Sequence, residues 1–291
     1  IAATLQITKN LTLDLNGCTL RMTGTGSVLK VSGRATLTIT DSSAAKSGTI
    51  TGGNAEYGGG VYVDDYAALK MTGGCITGCH ASRGGGGIYS SGNLYMGGTA
   101  KIEKCTGSDD AIWNRENSDI YADGGTVDGT VNNQGTIKRS EGAAAVTVFN
   151  GTVYNRSAGT IIAGIYNGTV ENNGTISGGT FCGGVTIRKG SWVWERTGSI
   201  SGGTFYSSIV NEAGPERVTG VTFAVTFDRG DGTKTEPTPV KYNDLVPKPT
   251  APTKSGYTFT GWEDANGAYD FNTPVTGPLT LTARWGEVPS S

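Results

Sequence analysis

A five-residue string recurs along this chain at a nearly constant interval. Residues 58–62 read Gly-Gly-Gly-Val-Tyr, residues 85–89 read Gly-Gly-Gly-Ile-Tyr, and residues 110–113 keep a degenerate Asp-Ala-Ile-Trp. Measured at the aliphatic position, the steps are 27 and 24 residues. The Leu-Lys-Met of residues 69–71 returns as Leu-Tyr-Met at residues 94–96, a step of 25 residues. A shared interval of this length indicates a repeat architecture, in which each unit packs on its neighbours.

The interval continues toward the C-terminus with different residues. Gly-Thr-Ile at residues 135–137 returns at residues 159–161, and Ser-Gly-Gly-Thr-Phe at residues 177–181 returns at residues 201–205, both after 24 residues. Within the units, short stretches such as the Leu-Thr-Leu-Asp-Leu of residues 11–15 alternate apolar and polar side chains. This alternation predicts half-buried β-strands.

Composition favours short strands joined by tight turns. The chain has 48 glycines but only 9 prolines, and glycine adopts the positive φ of turns while it destabilises helices. No window has a sustained helical apolar pattern. A leucine-rich repeat would need its leucine-asparagine signature, and a propeller blade would need about 40–50 residues. We therefore predict an all-β chain in which residues 1–222 form a right-handed parallel β-helix of about nine rungs.

Residues 58–98 resemble the glycine-rich β-helix repeats of exported bacterial proteins. The shared layout is Gly-Gly-Gly-Val-Tyr, a short strand, Met-x-Gly-Gly-x-Ile and then Gly-Asn. Cys79 and Cys105 stand where these repeats tend to have asparagine. The resemblance therefore implies that the interior asparagine stack of such proteins is replaced in this chain.

Composition changes near residue 223, where prolines cluster and glycine becomes rarer. Residues 223–285 resemble the Listeria–Bacteroides repeat of internalin-type surface proteins. The matching motifs are Val225-Thr226-Phe227-Asp228, Pro249-Thr250 with Pro252, Gly256-Tyr257-Thr258-Phe259-Thr260-Gly261-Trp262, Tyr269-Asp270-Phe271, Pro274-Val275-Thr276 and Leu281-Thr282-Ala283-Arg284-Trp285. The resemblance implies a small β-grasp-like domain at residues 223–286, followed by a tail at residues 287–291. Such domains serve as stalks, linking repeats or binding modules, and no enzymatic role goes with them.

Charge and hydropathy exclude two classes of partner. The net charge is −2 and charged residues make up 16% of the chain, so there is no basic face for nucleic acid. No apolar run reaches the roughly 18 residues of a membrane span. The first residue is Ile1 rather than Met, which leads us to expect that an upstream region has been removed. The five scattered cysteines lack the spacing of a disulfide scaffold. We expect mostly small buried residues and at most one incidental bridge.

Because parallel β-helices include glycosidases and polysaccharide lyases, catalytic residues must be considered. The candidate carboxylate pairs are Asp64-Asp65 and Asp109-Asp110. Asp64 follows Val61 by three residues, whereas Asp109 precedes Ile112 by three, so the two pairs fall in different columns. The polygalacturonase motifs Gly-His-Gly and Arg-Ile-Lys are absent. An acidic stretch at residues 109–128 contains Arg115, as a lyase would need, but lacks the alternation of a Ca²⁺ loop.

The sequence contains few residues that could bind a cofactor or a metal ion. His80 is the only histidine, and it is adjacent to Cys79. Neighbouring residues of a strand point to opposite faces, which disfavours both a Cys–His dyad and a zinc site shared with Cys75 and Cys105. The glycine runs lack the following helix of a phosphate loop. We predict no cofactor, no metal and no catalytic residues.

The predicted function is therefore non-catalytic. We expect a secreted or cell-surface bacterial protein, of Gram-positive type, that acts in adhesion or structural display and binds a host or cell-wall glycan or a surface protein. Exposed aromatic side chains that could stack on sugar rings are the candidate ligand residues: Tyr57, Tyr62, Tyr89 and Trp113. Two alternatives remain open, a β-helix carbohydrate-active enzyme (glycosidase or polysaccharide lyase) and a spacer that binds nothing.

Overall fold

The computed structural model describes residues 1–107, 110–190 and 197–287, and most of these residues form a coil of short strands. Each rung of the coil contributes strands to successive faces, and each strand pairs in parallel with its equivalents in the adjoining rungs. One repeat of the sequence corresponds to one rung. The prediction of an all-β chain with a parallel β-helix is thus confirmed. Its right-handed sense stays a prediction from the general handedness of parallel connections.

The first face is a ten-stranded parallel sheet. Its strands are Leu5–Ile7, Leu29–Val31, Val61–Val63, Ile88–Ser90, Ile112–Asn114, Val131–Asn133, Val153–Asn155, Val170–Asn172, Val185–Ile187 and Ile209–Asn211.

The second and third faces are joined by two long strands, Asn93–Glu103 and Asp119–Val127, which run around the corner between them. The other strands of the second face are Leu11–Asp14, Thr36–Thr40, Ala68–Met71, Thr136–Lys138, Thr160–Ile161, Thr175–Ile176 and Ser199–Ile200. The other strands of the third face are Thr19–Arg21, Thr49–Thr51, Cys75–Thr77, Val148–Phe149, Ile165–Tyr166, Thr180–Phe181 and Thr204–Phe205. A separate two-stranded ribbon, Asn54–Tyr57 with His80–Gly84, lies between the third face and the first.

Side chains at equivalent inward positions stack in columns along the coil, and neighbours in a column are of similar kind over several rungs. The inward column of the second face shows this: Leu11, Leu37, Leu69, Leu94, Ile120, Ile137, Ile161, Ile176 and Ile200 pair in sequence. From Leu37 onward, these side chains are at most 1% exposed. The three-glycine runs follow from the same close stacking, since a Cβ on Gly59 would lie 2.3 Å from the carbonyl oxygen of His80.

The third face changes from aliphatic to aromatic residues along the coil. Its inward column runs from Leu20 to Val127 with aliphatic side chains and then continues with Phe149, Tyr166, Phe181 and Phe205. Ring centroids in this second part are 5.0, 4.9 and 4.6 Å apart, and the interplanar angles are 8–10°. The stack follows from strand spacing, which is about 4.8 Å.

An asparagine ladder lies inside the first face. Asn114, Asn133, Asn155 and Asn172 are fully buried, and the amide nitrogen of each of the first three donates to the side-chain oxygen of the next at 2.7–2.8 Å. The expectation that an interior asparagine stack is replaced was therefore wrong for this part of the chain. The ladder forms where the first-face strands end in asparagine, so that the buried amides satisfy one another and the corner carbonyls.

The cysteines only partly fit the sequence prediction. Cys79 and Cys105 are buried, Cys75 is half-buried, and Cys18 and Cys182 are exposed. All five are free thiols, so no incidental bridge is present. Cys79 and Cys105 occupy equivalent places in consecutive rungs, as the backbone bond from the Thr106 nitrogen to the Cys79 oxygen shows.

The C-terminal domain is a five-stranded mixed sheet. In spatial order its strands are Thr238–Lys241, Thr222–Asp228, Leu279–Glu287, Tyr257–Asp264 and Gly267–Ala268. The 3₁₀ turn Pro215–Arg217 precedes it. Among the described residues no helix is long or apolar enough to cross a membrane.

The domain packs on the last rung of the β-helix. The Phe223 ring meets the Phe205 ring edge-on at 6.3 Å, which extends the aromatic column into the next domain. The Ile209 nitrogen donates to the Thr276 oxygen at 3.0 Å, so a backbone group of the tenth first-face strand is satisfied from the C-terminal domain. Val218 and Val221 are buried at the junction. The domain thus covers an end of the coil whose apolar column would otherwise face water.

Replacing Asn133 by leucine should destabilise the β-helix by about 2–4 kcal/mol, because the Asn114 amide loses one of its two acceptors and the buried side-chain oxygen of Asn155 loses the Asn133 amide as its donor. Denaturant unfolding followed by far-UV circular dichroism measures the change. The matched control is Asn167→Leu, since Asn167 donates to Asn150 at the same 2.8 Å but is exposed. We expect that control within about 0.5 kcal/mol of wild type. Equal losses in the two variants would contradict the ladder's role.

Asp41 should give the β-helix a pH-dependent stability. Its buried carboxylate accepts backbone N–H groups from Gly48 at 2.7 Å and from Gly17 at 2.8 Å. Although burial opposes this, the hydrogen bonds lower the pKa of Asp41 from 3.8 to about 2. A lowered folded-state pKa stabilises the fold above the unfolded-state value, and the contribution is lost as pH falls toward 2.

We therefore expect Asp41→Asn to lower the melting temperature at pH 7, because an amide cannot accept both bonds. The difference from wild type should shrink as pH falls from about 4 toward 2. Thermal scans across this range, with Asp65→Asn as the exposed control, test the prediction. A deficit that is constant over the range would count against it.

Candidate functional site

The outward side of the first face holds three of the four candidate aromatic residues in one column. Tyr62, Tyr89 and Trp113 occupy the central position of three consecutive strands and pair in register. Lys30 precedes them and Asn132 follows them in the same column. The residues recur in the sequence as the last letter of the repeated string, and the coil places them side by side.

Tyr57 joins the column from the two-stranded ribbon. Its ring centroid lies 4.8 Å from that of Tyr89 and 6.4 Å from that of Trp113. Tyr62 and Tyr89 stack at 5.0 Å, and Tyr89 lies 6.2 Å from Trp113. The structure therefore brings all four candidate residues into one aromatic cluster.

Exposure of these residues is lower than the sequence analysis expected. Tyr89 is only 7% exposed, and Tyr57, Tyr62 and Trp113 are half-buried. Burial raises the pKa of Tyr62, and the nearby Tyr89 adds to the shift. The cause is the close packing of the rings: Tyr62 stacks on Tyr89, and Tyr57 and Trp113 pack against Tyr89 at tilted angles. Lys30 lies over the Tyr62 ring at 4.9 Å and covers the other side. Stacking of a sugar on these ring faces is therefore obstructed, while ring edges and hydroxyl groups remain available.

The indole ring of Trp113 packs against the backbone of the ribbon at Gly84. A Cβ on Gly84 would lie 1.9 Å from Cε3 of the indole, so only glycine leaves room for the ring at this ribbon position. The indole Nε1 is buried and has no hydrogen-bond acceptor among the described residues. Packing rather than hydrogen bonding therefore fixes the ring.

An open depression of about 610 Å³ lies between the first rungs of the first face and the ribbon. We call it the N-terminal groove. Its polar lining includes Gln6, Ser27, Lys30, Asn54, Glu56 and Ser82, and Tyr57 and Tyr62 form its aromatic side. Its volume is typical of small-molecule or oligosaccharide sites. Residues from the first to the third rung converge on it because the ribbon stands out beside the first face.

Ion pairs border the groove. Arg83 pairs with Glu56 at 2.9 Å, and its guanidinium lies 5.9 Å from the centre of the Tyr57 ring. Lys30 approaches Asp64 at 3.9 Å. These pairs are substantially exposed and contribute little to stability. They leave the groove with charges of both signs beside hydroxyl and amide groups.

The residues considered for catalysis are brought together only in part: Asp65, Arg115 and Glu116 line one depression of the surface, whereas Asp64 and Asp110 lie apart. Asp64 follows a first-face strand, whereas Asp110 precedes one, so they lie at opposite ends of parallel strands. Asp110 is buried and accepts from Asn132 at 3.4 Å. Asp109 lies outside the described residues. In the remaining acidic stretch, Asp119 pairs with Lys138 at 2.6 Å and Asp128 pairs with Lys101 at 3.3 Å.

The residues considered for metal binding also separate. His80 is exposed and bonds Thr106 at 3.1 Å, while Cys79 points into the core, as strand alternation predicts. No group of three or more potential ligand residues occurs among the described residues.

The polar residues of the groove were not among those predicted from the sequence. Gln6 and Asn54 belong to no repeated motif, and they meet only because the ribbon and the first rung flank the same space. The available signal was the column register, which would have placed Gln6 and Lys30 ahead of Tyr62.

Comparison with known proteins bears on the C-terminal domain. The model of the Listeria–Bacteroides repeat domain matches residues 223–284. Internalin H of Listeria monocytogenes serovar 1/2a is 56% identical over 43 residues, which is 15% of this chain and 8% of internalin H. The chain thus matches only a small part of that relative's length. The predicted resemblance is confirmed for the C-terminal domain, and such repeats are typical of surface or secreted bacterial proteins.

Substituting Gly84 by alanine should displace the Trp113 ring and disrupt the aromatic cluster, because the new methyl group would overlap the indole. We expect a loss of about 1–3 kcal/mol and a changed near-UV circular dichroism spectrum. Gly97→Ala is the matched control, since its nearest neighbour would be 3.8 Å away. If Gly84→Ala left both stability and spectrum at wild-type values, the described packing of Trp113 would be wrong.

Proposed function

We propose that this chain is a bacterial surface protein that displays a binding groove on a rigid β-helix. The Listeria–Bacteroides repeat domain supports the surface location, because such repeats are typical of surface or secreted proteins. Attachment to a Gram-positive cell and the role of an adhesin are parts of this proposal.

Continuity between the two domains supports a display role. The third-face aromatic column passes from Phe205 to Phe223 across the junction, and a backbone hydrogen bond accompanies it. A flexible stalk would need no such packing. Here the small domain and the coil form a continuous core, which suits an element that holds a ligand-binding face away from its point of attachment.

The N-terminal groove is the observation that carries the binding proposal. Its hydroxyl, amide, ammonium and carboxylate groups offer donors and acceptors in a space of about 610 Å³. A host or cell-wall glycan, or a polar loop of a surface protein, has the matching chemistry. Tyr57 and Tyr62 would contribute ring edges and hydroxyl groups, since the cluster covers their faces.

Filling the groove tests this proposal. Ser82 is an exposed lining residue, and Ser82→Trp would place an indole in the groove without changing the core. We expect ligands found on a glycan array or a surface-protein array to lose about tenfold or more in affinity. Ser177→Trp, at an exposed position remote from the groove, should bind like wild type.

The enzyme and spacer alternatives give different results in the same study. A polysaccharide depolymerisation screen run with the array would show product if the chain is a glycosidase or lyase, and that result would overturn the non-catalytic proposal. No ligand on either array would favour the spacer. Ligands that bind Ser82→Trp as tightly as wild type would remove the groove from the proposal.

A further inference from the structure

Turn length at the corner between the first and second faces varies from rung to rung. After Val63 the turn has four residues, 64–67, and after Asn114 it again has four, 115–118. The rung between them has only two, because Ser90 pairs with Val63 and Asn93 pairs with Ala68. The residues equivalent to Asp65 and Tyr66 are therefore missing from this rung.

The short turn leaves a notch in the corner. Its volume is about 470 Å³, and its lining includes Asp65, Tyr66, Asn93, Arg115, Glu116 and Asn117. The neighbouring long turns are two rungs apart, roughly 9–10 Å, so the free space is about one rung high. We call this space the corner notch.

The floor of the notch is fixed by its own turn. The Ser90 hydroxyl donates to the Gly92 oxygen at 2.8 Å. A Cβ on Gly92 would lie 2.1 Å from the Ala67 oxygen, so the turn is pressed against the preceding rung. The notch is consequently a built feature of the backbone and does not depend on side-chain rotamers.

Tyr66 forms one wall, at the turn position that Arg34 and Asn117 occupy in their own rungs with the same positive φ. It is 81% exposed, far more than the tyrosines of the first-face cluster, and it has a φ of 62°. A bulky residue at positive φ is strained. Arg34, one rung earlier, lies over the ring at 5.5 Å. Because Arg34 comes from the side away from the notch, the ring face toward the missing residues stays uncovered.

The charged residues of the notch are free of internal partners. The side chains of Asp65, Arg115 and Glu116 have no hydrogen bond or ion pair among the described residues, although most charges on the faces are paired. Two carboxylates and one guanidinium therefore line the notch, together with Asn117 and Tyr66.

We propose that the corner notch binds a neutral polysaccharide, one sugar ring of which stacks on Tyr66. A notch one rung high admits a ring between Tyr66 and the following long turn. Carboxylates accept hydrogen bonds from vicinal hydroxyl groups, and Arg115 and Asn117 donate to ring and hydroxyl oxygens. The excess of carboxylates disfavours an acidic polymer. This site is separate from the N-terminal groove and goes beyond the proposed function.

The corner also explains how a polymer could extend along the coil. In the following rungs this corner has four residues at 115–118, two at 134–135, four at 156–159 and two at 173–174. Between residues 64 and 174, four-residue and two-residue turns thus alternate from rung to rung. A chain of sugars lying parallel to the coil axis would meet an equivalent step at each interval of roughly 9–10 Å.

Affinity gel electrophoresis of the whole chain tests the notch, with laminarin or glucomannan in the gel and alginate as the acidic comparison. We expect retardation by at least one neutral polymer, and a loss of about tenfold or more in affinity for Tyr66→Ala. Tyr206→Ala is the matched control, because Tyr206 is 67% exposed on the coil and remote from the notch. It should be retarded like wild type.

A second variant tests the geometry of the notch without removing the aromatic ring. Insertion of Ser-Asn between Ser91 and Gly92 restores a four-residue turn and should abolish retardation while circular dichroism stays unchanged. The groove variant Ser82→Trp should still be retarded, so that failure of one site is distinguishable from failure of the other. The proposal is overturned if neither neutral polymer retards the wild type, if alginate binds better, or if Tyr66→Ala binds normally.

Discussion

In-register parallel pairing between rungs is the constraint on which the rest of this structure depends. A residue in one rung lies about 4.8 Å from its equivalent in the next, so each column must be filled by side chains that tolerate their own kind as neighbours. Aliphatic residues do so by close packing, and asparagines do so because an amide can donate to one neighbour and accept from the other. Aromatic rings do so by parallel stacking, as from Phe149 to Phe205. The fold is therefore a set of side-chain columns, and each column is stabilised by the interaction that its residue type makes with an identical or similar neighbour.

The same constraint limits where ligands can bind. In a column on the outer surface, each side chain packs against the equivalent side chain of the next rung. The Tyr62–Tyr89–Trp113 column therefore leaves little ring surface accessible to a ligand. Free surface arises where the register of the coil is interrupted. The ribbon beside the first rungs makes the N-terminal groove, and the two-residue turn after Ser90 makes the corner notch. Both sites thus result from departures from the repeat.

These departures also decide what the sequence could predict. The β-helix was predictable because the spacing of residues 58–98 is nearly constant and each strand alternates. The asparagine ladder was not, since its members lie 19, 22 and 17 residues apart. The intervals differ because the connections elsewhere in the rungs differ in length, above all residues 139–147 between the second and third faces, so the shared column leaves no fixed period. In the candidate site, the repeated string predicted the aromatic residues, but their mutual burial depends on the ribbon from residue 54 onward, whose position no local pattern indicates.

The junction with the C-terminal domain shows how the ladders can end. A β-helix terminates with an exposed apolar cross-section and unpaired strand edges, both of which favour aggregation. Here Phe223 meets Phe205 edge-on, whereas the rings before it stack face to face, so the column ends in a contact that cannot be propagated further. The bond from Ile209 to Thr276 likewise satisfies a backbone group that a further rung would otherwise satisfy. The small domain therefore has a structural role in this chain, because it covers the last rung of the β-helix and occupies a backbone group to which another strand could otherwise add.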